Sequence, residues 1–214
     1  MSIKTVMFDF DGTLVNTNDL IVKCFQHTFR TYTGKEMDRA EIQRNFGEPL
    51  GVTMERCFGK DRKREAMDVY RSLHRGRFVK LIRIFPGMDE LVKELKQKGY
   101  QTALVTSRLA ETAMLGIETF GLKPWFDTIV TMDRITRHKP DPQAIQLALS
   151  DLGAKAAEAV MIGDTKYDML CAKNAGCLSI LVDWSVMEGE ERERLAPDYI
   201  AKSPEQIREI IENI

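Results

Sequence analysis

The sequence predicts an α/β protein: a Rossmann-like doubly wound parallel sheet as the core, with a second, smaller all-helical cap domain inserted after the first strand. Three observations carry this. Short apolar runs recur along the 214 residues, helical patterns alternate with them after residue 83, and residues 15–83 hold helical patterns with no convincing strand. Near-continuous apolar runs of this length suit strands covered on both faces, the habit of parallel sheets.

In order, the runs are "KTVMFDF" from Lys4, "QTALVT" from Gln101, "DTIVTM" from Asp127, "EAVMIGD" from Glu158 and "CLSILVD" from Cys177. Between them Gly99, Gly121, Gly153 and Gly176 stand where a left-handed residue ends a helix. Asp141-Pro142 sets a capping residue before a first-turn proline, and Ser203-Pro204-Glu205-Gln206 has capping-box spacing for a last helix. Within the insert, "NDLIVKCFQHTFRTYTG", "DRAEIQRNFG" and "KREAMDVYRSLHRGRF" have helical spacing, with Gly34, Gly47, Gly51 and Gly59 as interruptions. The expected division is a core of residues 1–14 and 84–214 and a cap of residues 15–83, hinged at 14–18 and 82–87. An insert in that place would lie over the carboxyl ends of the strands as a lid.

Composition narrows the partners. Apolar residues make up 43% and charged residues 29%, close to ordinary globular proteins. A net charge of −1 gives no general attraction to nucleic acid or to an anionic membrane. The first apolar run is broken by Asp9 and Asp11, unlike a signal peptide, and no run approaches the roughly 20 apolar residues of a membrane span. Cys24, Cys57, Cys171 and Cys177 form no CxxC pair and no zinc spacing, which suits reduced thiols in a cytoplasmic protein. Partner choice must therefore be local, and the expected state is a monomer or weak homodimer.

Two acids interrupt the first strand. Residues two apart share a strand face, so Asp9 and Asp11 point one way while Phe8 and Phe10 point the other, and Gly12 permits a tight turn beside a ligand. Two carboxylates on one side make a hard oxygen site suited to Mg²⁺. Three later strand ends add to it. Thr106-Ser107 offers a hydroxyl and amides near a helix N-terminus, which can hold a phosphate oxygen or simply close a turn. Lys139, stiffened by Pro140, can be a fixed cation. Gly163-Asp164 ends a strand, with Asp168 one helical turn on.

In this order, "DFDGT" from Asp9, Thr106, Lys139 and "GDTKYD" from Gly163 resemble the four motifs of the haloacid dehalogenase-like superfamily of phosphohydrolases. The insert resembles that superfamily's helical cap as found in phosphoglycolate phosphatases, pyrophosphatases and β-phosphoglucomutases. "DGTLVNTND", "VMIGDTKYDMLCAKNAG" and "WSVMEGEE" are most similar to bacterial pyrophosphatases and phosphoglycolate phosphatases; Asn16 departs from the Asp often found there in the wider family.

The resemblance implies a Mg²⁺-dependent phosphatase acting on a small phosphorylated metabolite. By it, Asp9 is the nucleophile, Asp11 the general acid and base, and the metal is held by Asp9, the backbone carbonyl of Asp11 and Asp164. Thr106, the Ser107 amide and Lys139 would hold phosphate oxygens, Asp168 would orient Lys139 or a metal-bound water, and Gly12, Thr13 and Gly163 would support the site. A phosphomutase of the β-phosphoglucomutase type, or an inactive metabolite-binding regulator, are the alternatives.

In the insert, residues 56–83 carry ten Lys or Arg against three Asp or Glu. Lys60, Arg62, Lys63 and Arg64 read as a solvated face; Arg71, His74 and Arg77 are the candidate substrate contacts. Glu48, in "NFGEPL", would discourage a second acidic group on the substrate if it faced the pocket.

Overall fold

The structure, a computed structural model, describes residues 2–187 and 189–214. Met1 and Glu188, the latter within "WSVMEGEE", lie outside the described residues. The chain divides into two compact units, Met1–Val15 with Ile84–Ile214, and Asn16–Arg83.

From the N-terminus the elements are β1 (Thr5–Phe8), β2 (Val15–Asn16), α1 (Asn18–Thr33), α2 (Arg39–Gln43), α3 (Leu50–Leu81) and β3 (Arg83–Ile84). There follow α4 (Met88–Gln97), β4 (Gln101–Val105), α5 (Ala110–Thr119), β5 (Thr128–Val130), α6 (Gln143–Leu152) and β6 (Ala159–Gly163). The chain closes with α7 (Lys166–Ala175), β7 (Leu178–Val182), α8 (Gly189–Leu195), β8 (Tyr199–Ala201) and α9 (Pro204–Asn213).

Six strands form one sheet in the order β5-β4-β1-β6-β7-β8, every pairing parallel. Strands β1 and β6 are buried along their whole length, as an apolar run without alternation requires when helices cover both faces. On α4 the buried residues are Met88, Leu91, Val92 and Leu95, a single stripe at helical spacing. The order steps outward from β1 through β4 to β5, then resumes at β6 on the other side of β1. That reversal opens a crevice at the carboxyl ends of β1, β4 and β6, where doubly wound sheets bind ligands.

All five anticipated strands are present, and Gly99, Gly121, Gly153 and Gly176 each have positive φ behind a helix. Asp141 accepts a hydrogen bond from Gln143 N at 2.9 Å, so α6 starts just after Pro142. Ser203 caps α9 through Gln206 N at 3.3 Å, while the Gln206 side chain turns to Lys202 N instead of completing a box. The sixth strand, β8, is an addition: three residues at the sheet edge, too short and too open to stand out as an apolar run.

In the helical unit α1 packs its Phe25 edge-on to Tyr70 of α3, with ring centroids 5.1 Å apart. His74 stacks between Tyr70 and Phe78, at 5.9 and 5.1 Å. Ala66, Tyr70, His74 and Phe78 recur every fourth residue, which is why one face of α3 is buried while its charged residues stay outside. Gly51 does not interrupt α3; the kink falls at Gly59, with φ 81° and ψ 168°. Among the described residues no helix is long and apolar enough to cross a membrane.

Candidate active site

Asp9 stands one residue past β1, its N–H still donating to Ile162 O of β6 at 2.9 Å. The chain then folds back, with Val15 N donating to Phe10 O and Gly12 N to Val15 O, each at 2.9 Å. Gly12 has φ +74°, and a Cβ there would lie 2.1 Å from Asp164 Oδ2. The position therefore requires glycine twice, for its backbone and for the close approach. Thr13 donates its hydroxyl to Asp164 Oδ1 at 3.3 Å, fastening the turn to the end of β6.

Gly163 ends β6, and a Cβ on it would meet the Asp168 Cβ at 2.3 Å. That closeness lets α7 start against the strand. Thr165 caps α7 and Asp168 returns the bond: Asp168 Oδ2 accepts from Thr165 N at 3.1 Å and from its hydroxyl at 2.7 Å. The other oxygen, Oδ1, accepts from Lys139 Nζ at 2.6 Å.

Lys139, on the connection between β5 and α6, uses its ammonium three ways: Asp9 Oδ1 at 2.8 Å, Val105 O at the end of β4 at 2.8 Å, and Asp168. Its side chain is only 3% exposed. Three carboxylates, Asp9, Asp164 and Asp168, place ligand oxygens within 4.8 Å of one another, all buried. One ammonium does not balance three such acids. Burial first, opposed by Lys139 and joined by the Asp168 and Asp11 charges, raises Asp9 to about 7 in all. Burial, then Asp168, Asp9 and Asp11, lifts Asp164 well above its ordinary value. Burial would lower Lys139, but Asp168 and Asp9 outweigh it and hold the ammonium above its usual range. A buried, all-oxygen cluster with excess negative charge is a place for a hard divalent cation.

The remaining candidates fall into two groups. Thr106 is buried at the end of β4, its hydroxyl accepting from Arg108 N at 3.2 Å, and Ser107 follows it half-buried. The Asp11 carboxylate is not part of the acidic cluster; both its oxygens accept from Arg108, from Nε at 2.6 Å and from a terminal nitrogen at 2.6 Å. Arg71 and His74 belong to the helical unit. For His74 the structure points away from substrate contact, because its imidazole is buried between two aromatic rings. Glu48 is charge-balanced within its own unit: Arg56 holds both carboxylate oxygens at 2.8 Å, and Thr53 donates to Oε2 at 2.5 Å.

Arg108 is the site residue that motif reading passes over. It stands in "ALVTSR" directly after the two hydroxyl residues, and a cation this close behind an expected strand end is the one signal the sequence offers; its burial and its pairing with Asp11 appear only in the fold. The Val105 carbonyl, which takes the third lysine hydrogen, leaves no mark in a sequence.

The family model for haloacid dehalogenase-like hydrolases matches residues 6–182. Pyrophosphatase PpaX of Halalkalibacterium halodurans is 37% identical over 99% of this chain and 98% of its own. A haloacid dehalogenase-like family hydrolase from Streptococcus pneumoniae superposes with a TM-score of 0.86 at 29% identity, covering 97% of this chain and 98% of the other. A predicted phosphatase from Clostridium acetobutylicum gives 0.90 at 25% identity, with 100% of both chains covered.

Proposed function

The chain belongs to the haloacid dehalogenase-like hydrolase family and is a phosphatase, and on that premise we propose that it releases inorganic phosphate from a small phosphorylated metabolite through a phosphoryl group carried on Asp9. The observation that carries the reading is the convergence of Asp9, Asp164, Asp168 and Lys139, brought together by β1, β6, α7 and the β5–α6 connection. Pyrophosphate is the first substrate to consider, because a relative alike over its whole length is named a pyrophosphatase.

Mg²⁺ fits the donor set. Asp9 and Asp164, with the backbone carbonyl of Asp11, are the ligands proposed, since both oxygens of Asp168 are committed to Lys139 and Thr165. When bound, the ion offsets repulsion between Asp9 and an anionic phosphate and stabilises charge on the transferring group.

In the proposed chemistry Lys139 fixes one Asp9 oxygen and presents the other to phosphorus. As the Asp9–phosphorus bond forms, the bond to the leaving oxygen breaks and Asp11 gives that oxygen its proton. Asp11, now a carboxylate, takes a proton from water as the water attacks phosphorus. The bond to Asp9 then breaks, and phosphate leaves with both acids restored. Thr106 and Ser107 hold the other phosphate oxygens, Asp168 holds Lys139, and Lys139, its three hydrogens committed to Asp9, Val105 and Asp168, offsets the phosphate charge without a direct bond. Residues 15–83 serve as a cap that excludes water and selects the leaving group, with Arg71 as a contact.

The test is phosphate release from pyrophosphate, 2-phosphoglycolate and a wider ester panel with Mg²⁺. Asp9→Asn should fold, by circular dichroism, and release no phosphate above background. A folded Asp9→Asn protein with near-normal turnover would overturn the reading.

A further inference from the structure

Asp11 and Arg108 form an ion pair of a different kind from the lysine cluster. Arg108 is fixed on every side: its N–H donates to Thr106 Oγ1 at 3.2 Å, and its carbonyl accepts from Met132 N at 2.8 Å. The guanidinium lies over the Phe10 ring, 5.3 Å from the centroid. Phe10 in turn is seated against α5 at Gly116, where a Cβ would come within 2.4 Å of the ring. The side chain of Arg108 is 8% exposed.

Asp11 differs. Its side chain is 27% exposed, and it rides on the turn next to Gly12. In this pair the cation is built in, while the carboxylate is the outer member, facing solvent and able to be exchanged. A guanidinium fork accepts carboxylate and phosphate with the same bidentate geometry. A carboxylate clamped in that fork also offers no proton to a leaving oxygen.

We propose that Arg108 is a specificity-determining residue that takes a second anionic group on the leaving side of the substrate, and that this anion displaces Asp11 from the fork, freeing its carboxylate to take a proton from solvent and pass it to the leaving oxygen. The proposal rests on the reading of Asp11 as the proton donor. Its substrate class is phosphoryl compounds whose leaving group is itself anionic, a phosphate or a short carboxylate. A ligand shifts such an equilibrium only by its differential affinity, so a neutral leaving group leaves Asp11 where it is.

The experiment compares 2-phosphoglycolate and pyrophosphate with ethyl phosphate, which lacks the second anion, for the wild type, Arg108→Gln and Arg108→Lys, with kcat and KM resolved. The wild type should prefer the doubly anionic substrates. Arg108→Gln should lower that preference, as a ratio of kcat/KM, at least tenfold, mainly through KM. Arg108→Lys should restore part of it, since the charge returns without the fork. Calorimetric binding to the Asp9→Asn protein, alone and with Arg108→Gln, should give the same loss of discrimination without turnover.

A wild type without preference, or an Arg108→Gln protein in which all substrates weaken together at constant ratio, would overturn the proposal. Those results leave the Asp9 chemistry standing. Turnover by Asp9→Asn would remove that chemistry whatever the ratio.

Discussion

The buried charges of the sheet unit and the surface charges of the helical unit are satisfied in opposite ways. In the sheet unit Lys139 reaches Asp9, 130 positions earlier, and Asp168, 29 later, and none of the three is open to water. In the helical unit Lys63 pairs with Glu55 and Arg56 with Glu48, each eight residues apart, and the cations stay exposed or half-exposed. There the order comes from aromatic packing between α1 and α3. Buried charges tolerate no missing partner, whereas exposed ones are largely interchangeable. The contrast locates the chemistry: excess charge held without water is useful to a reaction, and among the described residues the buried acidic cluster lies in the sheet unit.

Lys139→Ala should break the contrast most severely. It strands Asp9 and Asp168 as buried carboxylates, so chemical denaturation without metal should reveal a loss of about 3–5 kcal/mol, together with loss of phosphate release. A loss below about 1 kcal/mol would place these acids on a par with surface pairs.

Gly163→Ala comes next. Its Cβ would meet Asp168 at 2.3 Å, and neither the β6 backbone nor the α7 cap can give way without moving the cluster. The expected cost is about 1–3 kcal/mol, with activity falling more than stability alone predicts, as measured by comparing Tm with specific activity.

In the helical unit, His74→Leu should cost under about 1.5 kcal/mol, since a similar volume fills the same aromatic stack. It should leave KM for pyrophosphate within about twofold, a 0.4 kcal/mol change. A large rise in KM with an unaltered Tm would return His74 to the substrate contacts.

Arg56→Ala should cost less than about 1 kcal/mol in a denaturation experiment, because the Thr53 hydroxyl still serves Glu48.

The smallest effect concerns acid. Burial works to raise Asp127, but the Lys96 ammonium and the Thr102 amide outweigh it, so its folded pKa lies below 3.8. The carboxylate therefore adds stability above pH 3.8 that is lost as pH falls through the lower folded value. The Tm gap between wild type and Asp127→Asn should narrow below pH 3.8 and stay flat above it.

Much of the sheet unit is legible in the chain because its chemistry sits where its periodicity ends. Asp9, Thr106 and Asp164 each follow directly on an apolar run, and Gly12 and Gly163 mark the close approaches that bring those ends together. Arg108 is less legible because its partner lies 97 positions away, on a turn whose direction only the folded sheet decides. The edge strand β8 escapes because three residues with an exposed Ile200 carry no run. In α3 the two glycine signals divide: Gly51 lies inside a helical turn, whereas Gly59, at φ 81° and ψ 168°, does break the helix, and the packing of Ala66, Tyr70, His74 and Phe78 orders only the segment that follows it. His74 keeps that same four-residue spacing, and its place in the aromatic face outweighs its chemical type.

The most direct measurement is a rapid quench during turnover of pyrophosphate, followed by borohydride reduction and peptide mass spectrometry. An acyl phosphate on Asp9 is reduced to homoserine, so the account predicts homoserine at position 9, at a level that rises and decays with phosphate release. Normal phosphate release with Asp9 unmodified throughout, or with the label on another carboxylate, would contradict it.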